Sequence, residues 1–202
     1  MRRQLIVFAR APQYGAVKTR LAAEIGTGAA WRAYREMSAA ILREVVGSPT
    51  WETRLAITPA PFARRARFWP PSDVERVAQS SGDLGRRMAA LLAAGVGRGP
   101  VAIVGSDIPA MSRAHIGEAF EALAQHDLVF GPAVDGGYWL VGARQGLPVM
   151  VLTHLFDDVR WSSGDALADT LRNVRGGLRV AFAAMLRDVD STVDLAAWRA
   201  GV

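Results

Sequence analysis

The chain has 202 residues, half of them hydrophobic and 21% charged, with a formal net charge of +5; this is the composition of an ordinary globular protein, large enough to bury a substantial core. It has no cysteine, which excludes disulfides and thiolate metal sites and leaves oxygen and imidazole as metal ligands. No run approaches the ~20 apolar residues of a membrane span, and the scattered arginines lack the aromatic interleaving of a single-strand binder, so neither a membrane nor nucleic acid is an expected partner.

The amino end, Met1-Arg2-Arg3-Gln4 and the apolar run after it, imitates a signal peptide weakly, but Arg10 cuts the run short. Residues 5–9 therefore read as a mature first strand buried on both faces, and the cytoplasm is the expected address. Thr27 is the expected cap of a long helix through about residue 46, with Trp31, Tyr34, Met37, Ile41 and Val45 as its apolar stripe. Gly47-Ser48-Pro49 stops it, and a strand follows at 53–58. The Pro- and Arg-rich stretch 59–73 reads as a loop with a short helix, and 74–79 as a short third strand. A helix over 84–94 runs into the glycines of 95–100.

Residues 101–105 form the clearest buried strand. Ser112 caps a helix through about residue 125, with Ile116, Phe120 and Leu123 on one face. Strands are expected at 127–130 and 138–141, and Ser163 is the expected cap of a helix through about 172. A late strand at 178–182 and a terminal helix at 192–199 complete the chain. The alternation predicts one α/β domain over residues 1–202, with helices on both faces of a mostly parallel sheet. Ligands of such sheets bind beyond the carboxyl ends of the strands.

The residues that carry chemistry follow strands. Lys18 is the one lysine among 24 Lys and Arg residues, so its position calls for a compact, rotatable ammonium rather than a planar fork. It follows the first strand in Gly15-Ala16-Val17-Lys18-Thr19-Arg20, a loop suited to meet phosphate, with Arg10 as a third cation. The loop is not a P-loop, because Val17 stands where that motif has glycine. The buried strand 101–105 delivers Ser106 and Asp107 to the same edge, where a carboxylate can hold Mg²⁺ or Mn²⁺ alongside nucleotide phosphates; a turn cap is the alternative. Asp188 and Asp190, two apart in extended chain, aim the same way, and Asp190 can complete a metal site with Asp107 or belong to the cap of the last helix. Asp135-Gly136-Gly137-Tyr138 is either an acceptor pocket or a plain turn. In the segment 79–88, Gly82 and Asp83 either approach a ligand at a helix amino end or simply cap it. His115, His126 and His154 show no ligand spacing.

Taken together, residues 8–21, 79–88, 105–109, 131–142, Trp161-Ser162-Ser163 and 188–195 resemble a bacterial family of radical-SAM/selenodomain-associated, family-2-like glycosyltransferases of the GT-A, nucleotide-diphospho-sugar transferase fold. Lys18-Thr19-Arg20-Leu21 and Asp188-Val189-Asp190 are also similar to guanylyltransferases that load phospholactate or the molybdenum cofactor, although their glycine-rich opening is absent. The resemblance implies a GT-A-like three-layer α/β/α sandwich. It implies Asp107 and Asp190, with Asp188, as ligands of Mg²⁺ or Mn²⁺. It places the nucleotide against Ala9, Arg10, Gly15, Lys18, Arg20, Gly82, Asp83 and Ser106. The acceptor falls against Gly136, Gly137, Tyr138 and Trp161, with Lys18, Asp107 and Asp135 as catalytic groups. A homodimer is compatible with it.

The expected activity is metal-dependent glycosyl transfer from a nucleotide sugar to a small acceptor. The ion bridges the diphosphate, Lys18 and Arg20 pre-organise it, and Asp135 orients or deprotonates the acceptor hydroxyl. Nucleotidyl transfer from a nucleoside triphosphate uses the same clamp. A nucleotide-binding module without turnover is the remaining reading.

Overall fold

The computed structural model describes residues 2–65 and 74–201; Arg67 and much of the expected 59–73 loop lie outside them. The elements run β1 (Arg3–Arg10), α1 (Thr19–Ile25), α2 (Thr27–Val45), β2 (Trp51–Thr58), a 3-10 turn (Ala60–Phe62), β3 (Glu75–Ala78), α3 (Leu84–Val96), β4 (Val101–Gly105), α4 (Arg113–Ala122), β5 (Leu128–Pro132), β6 (Tyr138–Ala143), α5 (Val149–His154), α6 (Ala166–Arg172), β7 (Val180–Phe182) and α7 (Thr192–Ala200). Seven strands form one sheet in the order β3-β2-β1-β4-β6-β5-β7. β6 runs antiparallel to both its neighbours, and every other pairing is parallel.

The period-two alternation of strand side chains builds both cores. Leu5, Val7 and Ala9 of β1 pack with Tyr34, Ile41 and Val45 of α2 and Ile116 and Phe120 of α4. Ile6, between them, packs on the other face with Met88, Leu92 and Val96 of α3 and Leu152 of α5. The result is the expected three-layer sandwich. A third cluster joins Leu21 of α1, Ala30, Ala33 and Met37 of α2, and Val189 and Leu195 at the chain's end. It pins the segment bearing Asp188 and Asp190 against the start of α1, bringing the first and last helices of the chain together.

Some expectations are corrected. Thr27 is the first residue of α2 rather than its cap; Gly26, at φ 82°, precedes it and breaks the path from a separate α1. Ser163 does not cap α6. Its hydroxyl donates to the Arg160 carbonyl and accepts the Asp165 amide in a turn ahead of the helix. Helix α5 is absent from the sequence reading, because Val149 and Met150 are exposed and its six residues carry too little periodicity. Ser112 does cap α4, in a reciprocal box with His115, and Ser191 caps α7.

Candidate active site

The sheet order reverses between β1 and β4, and the loops that leave their carboxyl ends enclose a crevice there. A cleft of about 510 Å³ occupies it. The first wall is the loop after β1. Trp31 Nε1 donates to the Pro12 carbonyl at 2.6 Å, Arg10 Nη1 to the Ala16 carbonyl at 3.2 Å, and buried Val17 anchors the end. Lys18 then takes a left-handed backbone conformation, φ 47° and ψ 51°, immediately before α1. A non-glycine residue is strained in this geometry, and the Lys18 side chain lies in the cleft, where it is only 7% exposed.

Lys18 Nζ lies 2.6 Å from Asp190 Oδ1 and 3.2 Å from Asp107 Oδ2. Burial pulls the ammonium down, but the charges and hydrogen bonds of Asp107 and Asp190 outweigh it and hold its pKa above the ordinary value. Arg20 Nη1 adds a 3.4 Å contact to Asp190 Oδ2. The carboxylates reach this point from the middle and the last segment of the chain, tied by the Val189 amide donating to the Asp107 carbonyl at 3.2 Å. On the second wall the Tyr34 hydroxyl, deeply buried and with its pKa pushed up by that burial, donates to the Arg10 carbonyl at 2.7 Å. It also lies 3.2 Å from Ser106 Oγ, so one phenol fastens the carboxyl ends of β1 and β4.

Ala9, Arg10, Lys18, Arg20, Ser106, Asp107, Asp190 and Tyr138 all line this cleft. The other sequence candidates lie outside its lining. Asp83 caps α3, accepting the Arg86 amide at 2.8 Å, and Gly82 stands just before it at φ 112°. Gly15, at φ 77°, shapes the loop. Asp135 Oδ1 accepts the Gly137 amide at 2.9 Å in a local turn. Gly136 is required by a backbone neighbour, since a Cβ there would stand 2.0 Å from the Gly164 carbonyl oxygen. Trp161 packs edge-on to Tyr138 and against Phe156. Asp188 borders a separate, smaller hollow with Trp198.

Asp188 nevertheless feels the site. Burial, then the charges of Asp190, Asp135 and Asp107, push its pKa up to about 6 against an opposing pull from Lys18. Between about pH 4 and pH 6 the folded chain thus holds a proton that the unfolded chain has released, and stability falls as pH rises through that window. Asp188→Asn should raise the thermal midpoint at pH 7 by about 2–4 °C, from roughly 1 kcal/mol after solvent screening of a partly buried group. The gain should vanish near pH 4, and calorimetry across this range checks both outcomes.

Tyr34, Gln79 and Arg87 also line the cleft and are not among the sequence candidates. Tyr34 was legible only as core. Gln79 and Arg87 flank Gly82 and Asp83, whose turn and cap chemistry is the stronger local signal in that segment. Gln79 is buried, with Nε2 donating to the Ala9 and Ala56 carbonyls at 3.1 and 2.9 Å and Oε1 accepting from Arg87 Nη1 at 2.8 Å. A glutamine at a strand's carboxyl end, followed by an arginine in the next helix's first turn, was the available signal.

The donor set suits a hard divalent cation. Asp107 and Asp190 already converge on one positive charge, Lys18 Nζ, yet keep 43% and 38% of their side-chain surface open. Among the described residues no three His, Asp or Glu side chains form a metal cage. Two carboxylates with the remaining ligands drawn from phosphate and water is the manner in which Mg²⁺ sits in nucleotide sites.

A family model described as an uncharacterized protein conserved in bacteria, DUF2064, matches residues 41–163. The chain belongs to the DUF2064 family. The matched span holds Gln79, Arg87 and Asp107, while Lys18 and Asp190 lie to either side of it. No curated protein matches this DUF2064 chain. Among solved structures, it is similar to a Desulfovibrio desulfuricans G20 protein provisionally named a nucleotide-diphospho-sugar transferase, at 28% identity and TM-score 0.85, covering 98% of this chain and 87% of that one. Rv0371c of Mycobacterium tuberculosis H37Rv, solved as a manganese complex, shares 15% identity at TM-score 0.58 with full coverage of both chains. The 4-diphosphocytidyl-2C-methyl-D-erythritol synthase of Anaerococcus prevotii DSM 20548 shares 10% identity at TM-score 0.62, covering 99% and 97%. The fold is thus that of nucleotide-diphospho-sugar transferases and nucleotidyltransferases. No helix among the described residues is long and apolar enough to cross a membrane.

Proposed function

We propose that this chain is a transferase that binds a nucleotide through its diphosphate and moves a glycosyl group from a nucleotide-diphospho-sugar to a small-molecule acceptor. The observation that carries this is Lys18 Nζ held between Asp107 and Asp190 at the sheet's switch point. An ammonium, two open carboxylates and a neighbouring guanidinium in one crevice suit a diphosphate far better than a neutral ligand. Similarity to the Desulfovibrio protein supports the glycosyl reading.

Asp107 and Asp190 would hold Mg²⁺ or Mn²⁺, which when bound supplies neutralising charge for the departing diphosphate. Lys18 and Arg20 hold and orient that diphosphate, exchanging carboxylate contacts for phosphate oxygens. Ser106, fixed by Tyr34, offers a hydroxyl at the same edge, and Tyr138 walls the cleft on the β6 side. The acceptor hydroxyl gives up its proton to a carboxylate as its oxygen attacks, and Asp135, whose charge reaches Asp188, would serve as that base. Nucleotidyl transfer is the second reading, favoured by two further guanidiniums in the cleft, Arg10 and Arg87, and by the similarity to a cytidylyl-linked synthase.

A thermal-shift panel with Mn²⁺ tests both. A nucleotide sugar at about 100 times its Kd should raise the midpoint by roughly 5–10 °C, with the UDP, GDP and ADP sugars ranking the base. Stabilisation by nucleoside triphosphates alone selects the second reading, and silence across the panel rejects both.

A further inference from the structure

Lys18 and Arg20 have carboxylate partners in the cleft. Arg10 and Arg87 line the same cleft, and among the described residues no carboxylate pairs with either. Arg87 is instead held by neutral acceptors. Its Nε donates to the Asp83 carbonyl at 3.1 Å, its Nη1 donates to Gln79 Oε1 at 2.8 Å, and its guanidinium stands 5.7 Å from the centre of the Phe8 ring. Gln79 is buried and locked by two strand carbonyls, so Arg87 has little freedom. Arg10 is fixed through the Ala16 carbonyl. Burial, then the charge of Arg10, pull the Arg87 pKa down, and Asp83 offsets this only in part because its carboxylate caps α3. A partly desolvated guanidinium that shares a cleft with a second cation costs stability until an anion arrives.

We infer that Arg10 and Arg87 form a second anion seat in the cleft, apart from the Lys18–Asp107–Asp190 pole, which takes a phosphate or carboxylate group of a substrate. The inference rests on the nucleotide reading above. The two poles differ in kind. One mixes cations with carboxylates and suits a metal-bound diphosphate; the other is cationic only, and its planar forks match an oxyanion directly. The oxyanion has two sources: the terminal phosphate of a nucleoside triphosphate, or an acid group on the transferred sugar or the acceptor.

Calorimetric titration separates these cases. The probes are inorganic pyrophosphate and tripolyphosphate, each with Mg²⁺, and inorganic phosphate added to protein saturated with Mg²⁺ and pyrophosphate. Wild type should bind the added phosphate. Arg87→Gln should weaken that binding by about 10-fold, and change pyrophosphate affinity by less than about 3-fold. Lys18→Met should show the reverse pattern. Arg10→Gln, at an exposed side chain, should repeat the Arg87→Gln loss and stands in if that variant fails to fold. Tripolyphosphate binding tighter than pyrophosphate in wild type, but not in Arg87→Gln, identifies a nucleoside triphosphate as the source; equal binding of the two, with phosphate still bound, identifies an acid on the other substrate. Wild type that binds pyrophosphate but no further phosphate, or Arg87→Gln and Arg10→Gln variants indistinguishable from it, overturns the seat alone. Wild type that does not bind Mg²⁺-pyrophosphate overturns the nucleotide reading itself.

Discussion

Lys18→Ala should weaken binding of a nucleotide diphosphate by about 1.5–3 kcal/mol, roughly ten- to hundred-fold, the cost of a lost charge-assisted hydrogen bond. It should also destabilise the ligand-free protein by about 2–3 kcal/mol. The ammonium is the common neighbour of Asp107 and Asp190 and its charge also relieves Asp188, so removing it leaves like charges facing one another. Removing one partner of a buried pair costs about 3–5 kcal/mol; the open faces of these carboxylates place this case at or below the lower end. Lys18→Gly offers a control, because glycine adopts φ 47° without strain. It should recover about 1 kcal/mol of stability relative to alanine and none of the nucleotide affinity. Chemical denaturation and titration with a nucleoside diphosphate, run on the same three proteins, separate the backbone contribution from the ammonium. Affinity in Lys18→Ala equal to wild type would remove Lys18 from the anion site.

β1 and β4 were legible because each is built on a continuous apolar run, and β2 because Leu55-Ala56-Ile57 sits between β-favouring threonines. β4 matches its expected bounds, and β1 and β2 extend them only by flanking polar or aromatic residues that pair in register. The antiparallel run of β6 was not legible, since alternation of elements does not encode direction. Asp107 was legible as an acid at the end of a buried strand, and Lys18 as a lone lysine in an arginine-rich chain. Their distance to Asp190 was not, because it depends on the packing of Val189 and Leu195 against α1 and α2, a long-range contact with no local signature. The acceptor glycines show the converse error. Gly136 does permit a close approach, as its sequence suggested, but the partner is the backbone of Gly164. A glycine announces that something comes near, not what it is.

Asp107→Asn should cost roughly 10³-fold in kcat/KM, about 4 kcal/mol of transition-state stabilisation, while leaving the fold nearly untouched. The asparagine keeps the shape of the side chain, and Lys18 retains its shorter contact, 2.6 Å to Asp190. The ion pair it loses involves a side chain 43% exposed, so the stability change should stay within about 1 kcal/mol. This pattern, a large loss of turnover with an intact midpoint, is opposite to the stability loss expected of Lys18→Ala, and the difference tests the division of labour between them. A carboxylate that holds a divalent ion should also govern the metal dependence of nucleotide binding, so Mn²⁺ should no longer tighten nucleotide affinity in Asp107→Asn. Asp135→Asn gives the reference: its carboxylate serves a local turn in the ligand-free chain, so metal-dependent nucleotide affinity should survive there even where turnover drops. Were Mn²⁺ to tighten binding equally in Asp107→Asn and wild type, the ion would have to lie elsewhere, and the convergence of Asp107 and Asp190 would mean only that they neutralise a strained lysine.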